Sequence, residues 1–395
     1  MKCNRKIKEC IFRQVFLLFV LCIIAISLIG TVSAQTSNSF VKELKKVDVF
    51  HPPTDNSQMP FYNEWHYFNI IDEKQHISII CTFKLNGFSS NSEILLRYNV
   101  KGNSNAYLQA YPIGIAKYSS KTPDVQIANS TVRLTPEGYS VHVVSDDGSK
   151  VLDALFKPEA EPSPEYNATI FGGIINWIVA SPKMEVNGKL TADGKKYTLK
   201  NAKGYHDHNW GYWNWENLGW DWGQNTQTKN ELNGNDIGKY SLNFGNITDA
   251  SSTQSFKSVL NIWKNREIVA TFTNKDMQVK HSNFDKNITI PLYQGAVLPK
   301  GSFPLPINTD ISVSSCSRDY LNIKFTADPI NCAPLPLSVL TIDENGKPQI
   351  KYRIIWEMIG IYQVNGEIKG KQVSYTSDGF MEYVSGNAIL PNIQP

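Results

Sequence analysis

The segment GYHDHNWGYWNWENLGWDWG, residues 204–223, contains five of the nine tryptophans in the chain, two of its seven histidines and two aspartates. A carboxyl group in an apolar pocket has a raised pKa, and such an acid can protonate an unactivated carbon–carbon double bond. The faces of aromatic rings stabilise the cation that forms, by about 0.5–2 kcal/mol for each ring. These residue types therefore suit a reaction that passes through a carbocation.

Strand geometry divides the first part of this segment between two faces. If residues 204–210 are extended, successive side chains point in opposite directions. An acid, an amide and a phenol then share one face, and water held by an asparagine or a histidine could add to a cation formed there. The first face carries Tyr205, Asp207 and Asn209, and the second carries His206, His208 and Trp210.

A second segment, NEWHYFNI (residues 63–70), could supply the opposing wall of such a site. Alternation places Glu64 and His66 on one face of a strand. Trp65 and Tyr67 then lie on the other face. We therefore predict ligand contacts from both segments, by Glu64, Trp65, His66, Tyr67, His206, Trp210, Trp213, Trp220 and Trp222.

The same residues also have structural interpretations. Asp207 could accept hydrogen bonds at a barrel corner, as buried polar groups usually do, and the tryptophans could pack between sheets. His206 and His208 could share a metal ion, but a zinc site needs a third ligand, for which Glu64 and His66 are the candidates. We predict neither a metal nor an organic cofactor. The absence of G-x-S-x-G, P-loop and H-E-x-x-H motifs argues against the commonest hydrolases, nucleotide enzymes and zinc proteases.

The elements that would position these residues are strands. Short runs rich in Val, Ile, Thr, Tyr and Phe recur between Asn, Gly, Asp and Pro, and no stretch shows sustained helical periodicity. A chain of 395 residues is long for one domain. We predict an all-β protein with two domains, residues 35–225 and 238–395, separated by the polar segment 224–238.

Hairpin-turn signals support this organisation. Asp193-Gly194 and Val186-Asn187-Gly188 each lie between alternating runs. Val364-Asn365-Gly366 repeats the second signal in the other half of the chain. The repetition indicates two related β-barrels.

The N-terminus is predicted to direct export. Residues 1–34 combine a basic region, an uncharged apolar span and small residues at a cleavage spacing, which indicates a signal peptide or an N-terminal anchor. They carry five of the 39 basic and one of the 36 acidic residues, which leaves the rest of the chain with a formal charge of −1. We therefore expect a secreted protein, or one anchored at the outer face of the membrane, that does not bind nucleic acid. A Cys316–Cys332 disulfide would suit that location.

Four segments, NEWHYFN, SPKMEVNGKL, GYHDHNWGYW and GWDWG, occur in this order in the chain. They resemble the carotenoid hydratase (hydroxyneurosporene synthase) family, whose members have AttH-type lipocalin-like domains. The resemblance covers most of the chain after the N-terminal segment. It implies two lipocalin-like antiparallel β-barrels side by side, with a ligand cavity near their junction. The family's proton-transfer machinery includes a tyrosine two residues before an aspartate, which implies Asp207 as the acid and Tyr205 as its partner.

These observations favour one function and leave others open. The favoured function is a cofactor-free hydratase, or an isomerase or cyclase, that protonates a double bond in an isoprenoid or other lipid. Asp207 would donate the proton, and Asn209 or His208 would place water. One alternative is a non-catalytic carrier of a lipid or pigment. Another is a carbohydrate-binding β-sandwich that uses exposed aromatic side chains.

Overall fold

The computed structural model describes residues 40–53, 55–227, 239–288, 290–291, 297–298, 303–342 and 345–389. The predicted signal segment, residues 1–34, lies outside these ranges. Within them the protein is all-β, as predicted, with one α-helix, α1 (residues 40–47). That helix is too short to cross a membrane, and the described ranges contain no longer apolar helix. Short 3₁₀ helices occur at Asn56–Phe61, Ile113–Ile115, Asn274–Asp276 and Pro329–Asn331.

Antiparallel strands form a first sheet from the N-terminal half of the chain. Its spatial order is β4-β3-β2-β1-β12-β11-β9-β8-β7-β6-β5, with β10 paired to β11. The strands are β1 (Tyr62–Asp72), β2 (Ile77–Asn86), β3 (Asn91–Val100), β4 (Asn103–Pro112), β5 (Lys117–Tyr118), β6 (Val125–Ile127), β7 (Ser130–Thr135), β8 (Gly138–Val144), β9 (Val151–Pro158), β10 (Tyr166–Ile170), β11 (Gly173–Ala192) and β12 (Lys195–Tyr212).

A second antiparallel sheet follows, in the order β16-β15-β14-β13-β24-β23-β21-β20-β17, with β22 paired to β23. Strands β18 and β19 pair only with each other. The strands are β13 (Leu218–Thr226), β14 (Tyr240–Asp249), β15 (Ser255–Lys264), β16 (Glu267–Thr273), β17 (Met277–Asp285), β18 (Ile290–Pro291), β19 (Val297–Leu298), β20 (Leu305–Ser314), β21 (Tyr320–Ala327), β22 (Ala333–Ile342), β23 (Pro348–Ile368) and β24 (Lys371–Ile389).

The two sheets have matching topology. Each sheet begins in chain order with a four-stranded meander, whose first strand pairs with the strand that comes last in the chain. In the first sheet β1 pairs with β12, and in the second β13 pairs with β24. The long hairpins β11–β12 and β23–β24 correspond in the same way. The protein therefore consists of two lipocalin-like β units packed side by side. The change of sheet falls between Tyr212 and Leu218, earlier than the predicted division at 225–238, because β13 pairs with β14.

The predicted turns have different outcomes. Asp193 and Gly194 form the turn between β11 and β12, each with a positive φ, as a two-residue hairpin turn requires. The Val186-Asn187-Gly188 prediction is wrong, because these residues lie inside β11, where Val186 and Gly188 flank a bulge in its pairing with β12. The Val364-Asn365-Gly366 prediction is also wrong, since β23 continues through them to Ile368 and pairs with β24 in register.

The predicted disulfide is absent among the described cysteines. Cys316 is exposed and free before β21, and Cys332 is free after it. Strand β21 has eight residues, so it separates the two positions by roughly 26 Å. A disulfide requires Cα atoms within about 7 Å of each other.

Apolar side chains form a separate core in each unit and a third cluster between them. Helix α1 closes the first unit, because Leu44 is fully buried in its core. This contact also places Asp48, directly after the helix, inside the unit. The junction cluster combines Tyr67, Ile71, Ile80, Leu95, Ala160, Trp177, Val179 and Tyr205 with Trp222, Val259, Trp263 and Phe380.

Candidate functional site

Neighbouring strands β1 and β12 carry most of the predicted site residues. Tyr67 lies opposite Asp207 in their antiparallel register, and His66 lies opposite His208. Side chains alternate along each strand, so these two pairs point to opposite faces of the sheet. Asp207 faces the second unit, and His208 faces the interior of the first unit.

The Asp207 carboxyl group is 2% exposed at the junction of the two units. Its Oδ2 accepts hydrogen bonds from Trp177 Nε1 and Tyr205 OH, each at 2.9 Å. Among the described residues, Oδ1 accepts only from Asn209 Nδ2, at 3.5 Å, and it is therefore the oxygen that can carry a proton. Burial raises the pKa of Asp207 to about 7, against the opposing effect of the hydrogen bonds from Trp177 and Tyr205. Asp207 is thus an acid that retains a proton close to neutral pH.

A cavity of about 70 Å³ lies in front of Asp207, with walls from both units. No lysine or arginine is among its described lining residues. Two buried donors in its wall, Trp213 Nε1 and Tyr166 OH, have no hydrogen-bond partner in the described protein, so a ligand oxygen or water could accept from them. The main wall residues are Trp65, Tyr67, Tyr166, Trp177, Asn209, Trp213, Trp220, Asp221, Trp222 and Glu382.

A second cavity, of about 190 Å³, adjoins the first and shares part of its wall. It contains a carboxyl pair that was not predicted from the sequence, Glu357 on β23 and Glu382 on β24, which are cross-strand partners and hydrogen-bond to each other. Burial raises the pKa of Glu357 to about 7. Burial and the neighbouring Glu357 hold the pKa of Glu382 well above its usual range. The shared wall consists of Trp65, Tyr67, Trp220 and Glu382.

Inside the first unit, the opposite face of β1 and β12 holds a buried charged network. His208 Nδ1 lies 2.9 Å from Asp48 Oδ1, and His208 Nε2 lies 2.9 Å from Glu64 Oε1. Burial alone would lower the pKa of His208, but its hydrogen bonds to the two carboxylates raise it to about 9. The His66 ring stacks on His208 at 3.9 Å, and burial together with the nearby His208 charge holds the pKa of His66 well below its usual range.

Asp48 anchors this network. Its Oδ2 lies 3.0 Å from His206 Nε2 and also accepts from Tyr139 OH. Burial alone would raise the pKa of Asp48, but the attraction of His206 and His66 outweighs burial and holds it well below its usual range. Two ligand sets here have donor atoms within 4.8 Å of one another and could hold a metal ion. They are Asp48, His66 and His206, and His51, Glu64 and His208.

The structure thus separates the predicted site residues into two groups. Tyr205 lies behind Asp207 as its hydrogen-bond partner. The residues that line the cavities at the junction are Trp65, Tyr67, Asp207, Asn209, Trp213, Trp220 and Trp222.

Five predicted residues do not reach these cavities. They lie on the other face of the sheet, because each is an odd number of positions from Asp207 or Tyr67 along its strand. Trp210, for example, stacks on His51 at 3.8 Å. The five are Glu64, His66, His206, His208 and Trp210.

Comparisons with known proteins identify the fold of this chain. No protein-family model matches the chain, and no curated protein matches it. Among solved structures, kievitone hydratase from Nectria haematococca is 12% identical, with 82% of this chain and 88% of that chain covered and a TM-score of 0.54. A putative AttH from Nitrosomonas europaea is 13% identical, with 86% of this chain and 99% of that chain covered and a TM-score of 0.51. The chain therefore shares the lipocalin-like two-unit fold of these proteins.

Proposed function

We propose that this protein catalyses the acid-initiated hydration of a double bond in a hydrophobic molecule such as an isoprenoid or lipid, or its isomerisation or cyclisation, without a cofactor. The observation that supports this most strongly is the Asp207 carboxyl group, whose pKa burial raises to about 7 and which lies in an indole-walled cavity at the junction. A dry carboxylic acid beside aromatic ring faces is what protonation of an unactivated alkene requires.

The geometry assigns a role in the reaction to Asp207 and to Asn209. Asp207 Oδ1 transfers its proton to one alkene carbon, which leaves a carbocation on the adjacent carbon and a carboxylate on Asp207. Asn209 holds a water molecule through its side-chain oxygen, because its Nδ2 is directed at Asp207. The water oxygen bonds to the cation and returns a proton to the carboxylate, which restores the acid. In a cyclisation, a second double bond attacks the cation, and the product loses the proton to Asp207.

The indole rings would stabilise the cation during this sequence. Trp65 and Trp220 stack with ring centroids 6.4 Å apart, and both line the cavity in front of Asp207. Each desolvated ring face contributes about 0.5–2 kcal/mol. Similarity in fold to a kievitone hydratase supports hydration as one outcome. We also propose that the protein is exported and that residues 1–34 serve as its signal peptide or membrane anchor.

A non-catalytic lipid or pigment carrier is the second candidate. The observation that favours it is the pair of unpartnered buried donors, Trp213 Nε1 and Tyr166 OH, which could hold the polar end of a stored ligand. A carrier needs enclosure and complementary polarity but no acid. Asp207 would then be a structural acceptor for Trp177 and Tyr205.

One experiment separates the two. The full chain is incubated with a lipid extract of its host in water labelled with oxygen-18, recovered, and its bound molecules are identified by mass spectrometry. We expect the wild type to return a labelled hydration product or a rearranged isomer, and Asp207→Asn to return the unreacted molecule. Asp310→Asn, an exposed aspartate on β20, is the control and should behave as wild type. Unchanged ligand from both proteins would favour the carrier, and equal turnover by both would remove the acid role from Asp207.

A further inference from the structure

The carboxyl pair in the second cavity has unmet capacity to accept a positively charged group. Glu357 is 3% exposed, and its Oε2 has no partner in the described protein beyond the carboxyl–carboxyl hydrogen bond with Glu382. Glu382 Oε2 accepts one hydrogen bond, from Trp220 Nε1 at 2.8 Å. Both side chains line the cavity. Burying an acceptor without a full set of partners is unfavourable, so a ligand that supplies the missing contact would bind favourably.

In the described structure, no lysine or arginine forms an ion pair with Glu357 or Glu382. Lys84 is the only lysine or arginine among the described residues of the cavity wall, and its Nζ pairs with Glu93 at 3.7 Å. Arg97 attracts Glu357 from outside the cavity, but its Nη2 donates to the Asn331 carbonyl at 2.7 Å. The cavity therefore combines two adjacent acids that form no ion pair with a lysine or arginine among the described residues, and Arg97 is the one cation whose charge acts on Glu357 from outside it.

Aromatic rings complete the surroundings of the pair. Trp215 and Trp220 lie with ring centroids 4.9 Å apart, and Trp65 stacks with Trp220 at 6.4 Å. All three line the cavity. The Lys84 ammonium already lies 6.0 Å from the Trp215 ring centroid, within the range at which a ring face attracts a cation. The indole wall of this cavity can therefore interact with a positive charge.

We propose that this second cavity binds the cationic nitrogen of a hydrophobic amine, held between the Glu357–Glu382 carboxyl pair and the indole rings of Trp65, Trp215 and Trp220. The proton that the two carboxyl groups share leaves to solvent as the cation enters. A cavity of about 150 Å³ holds a benzene molecule, so about 190 Å³ has room for an alkylammonium head group. The apolar wall formed by Leu95, Leu108, Leu335, Leu337 and Ile355 would contact the hydrocarbon chain.

This inference goes beyond the function proposed above, because it concerns binding and requires no chemistry at Asp207. Its test compares two saturated probes, decyltrimethylammonium and decanol, titrated below their aggregation concentrations into the full chain by tryptophan fluorescence and calorimetry. We expect the cation to bind at least about tenfold more tightly than the alcohol. Neither probe has a double bond that Asp207 could protonate. Failure of the cation to bind therefore leaves the Asp207 proposal unaffected, and failure of the Asp207 proposal leaves cation binding unaffected.

Two variants locate the site. Glu357→Gln and Glu382→Gln should each reduce affinity for the cation about tenfold and leave decanol binding unchanged, which also shows that the cavity is intact. Glu367→Gln is the matched control, since Glu367 lies on the same strand as Glu357 and pairs with Gln372 away from the cavity. If either glutamate variant does not fold, Trp215→Leu at the cavity wall should weaken cation binding more than alcohol binding. Equal affinity of the wild type for the two probes, or unchanged cation affinity in the folded variants, would overturn the proposal.

Discussion

Trp177 Nε1 donates a hydrogen bond to Asp207 Oδ2 at 2.9 Å, from β11 to the neighbouring strand β12. The indole ring of Trp177 also packs against Gly245 on β14 of the second unit, where an added Cβ would lie 2.9 Å from the ring. Trp177 thus connects the candidate acid of one unit to the backbone of the other. Hydrogen bonds to a carboxylate favour its ionised form, so the packing of the two units helps to set the acidity of Asp207.

The raised pKa of Asp207 predicts a pH-dependent stability effect for Asp207→Asn. Between its ordinary pKa of 3.8 and the folded value of about 7, the folded protein binds more protons than the unfolded chain, so wild-type stability falls as pH rises through this window. Asn does not titrate and avoids that loss. We expect Asp207→Asn to gain stability relative to wild type by up to about 4 kcal/mol at pH values near 8, with no gain near pH 4. Urea denaturation measures the difference, and Asp310→Asn should show no comparable trend.

Removing either donor to Asp207 should make it a weaker acid. Trp177→Phe and Tyr205→Phe each delete one hydrogen bond to Asp207 Oδ2. Because that hydrogen bond stabilises the ionised carboxylate, its loss should raise the pKa of Asp207 above about 7. Tyr98→Phe is the control, because the Tyr98 hydroxyl donates to a different carboxylate, Asp193 in the turn between β11 and β12. The readout is the carbon-13 resonance of the Asp207 carboxyl group, assigned by its loss in Asp207→Asn. A resonance that titrates at the wild-type pH in both donor variants would contradict the role of these hydrogen bonds.

Local alternation was enough to predict the acid face. Tyr205, Asp207 and Asn209 lie within five residues, and strand geometry alone determines that they share a side. Alternation also placed His208 on the opposite face, but it does not reveal what lies beside each face. His208 was therefore still predicted to place water, although it faces the interior of the first unit. Resolving this requires the pairing of strands that are distant in sequence. The position of Asp48, 160 residues before His208, could not be predicted from local patterns.

The Glu357–Glu382 pair in the second cavity was not predicted for a related reason. Glu357 and Glu382 each interrupt a run of buried apolar residues, Trp356 to Met358 and Met381 to Tyr383. A single acid within such a run is a usable signal, since unpaired carboxylates are rarely fully buried. Their juxtaposition depends on the β23–β24 register, which the incorrect turn prediction at residues 364–366 would have displaced.

Gly245→Ala should disturb the contact between the two units at Trp177. The new methyl group would lie closer to the indole ring than real side-chain contacts allow, so the ring must shift or the units must separate slightly. We expect a loss of about 1–3 kcal/mol in the free energy of unfolding and a raised pKa for Asp207, through the weakened Trp177 hydrogen bond. Gly114→Ala is the control, because its Cβ would meet open space. Unchanged stability together with an unchanged Asp207 titration would show that Trp177 is not tightly held by the second unit.

The buried His208 imidazolium predicts a loss of stability at alkaline pH. Its pKa is raised from 6.5 to about 9 by hydrogen bonds to Asp48 and Glu64, so the folded protein holds a proton that the unfolded chain releases. This contribution is complete below about pH 6.5 and disappears as pH rises through about 9. His208→Gln should cost about 3–5 kcal/mol near neutral pH, since it leaves two buried carboxylates without their cation, and its stability should vary less between about pH 7 and 9. Thermal unfolding across this range tests both effects, with His142→Gln, whose exposed ring pairs with Asp153, as the control. The same alkaline slope in wild type and His208→Gln would show that the imidazolium does not support the fold.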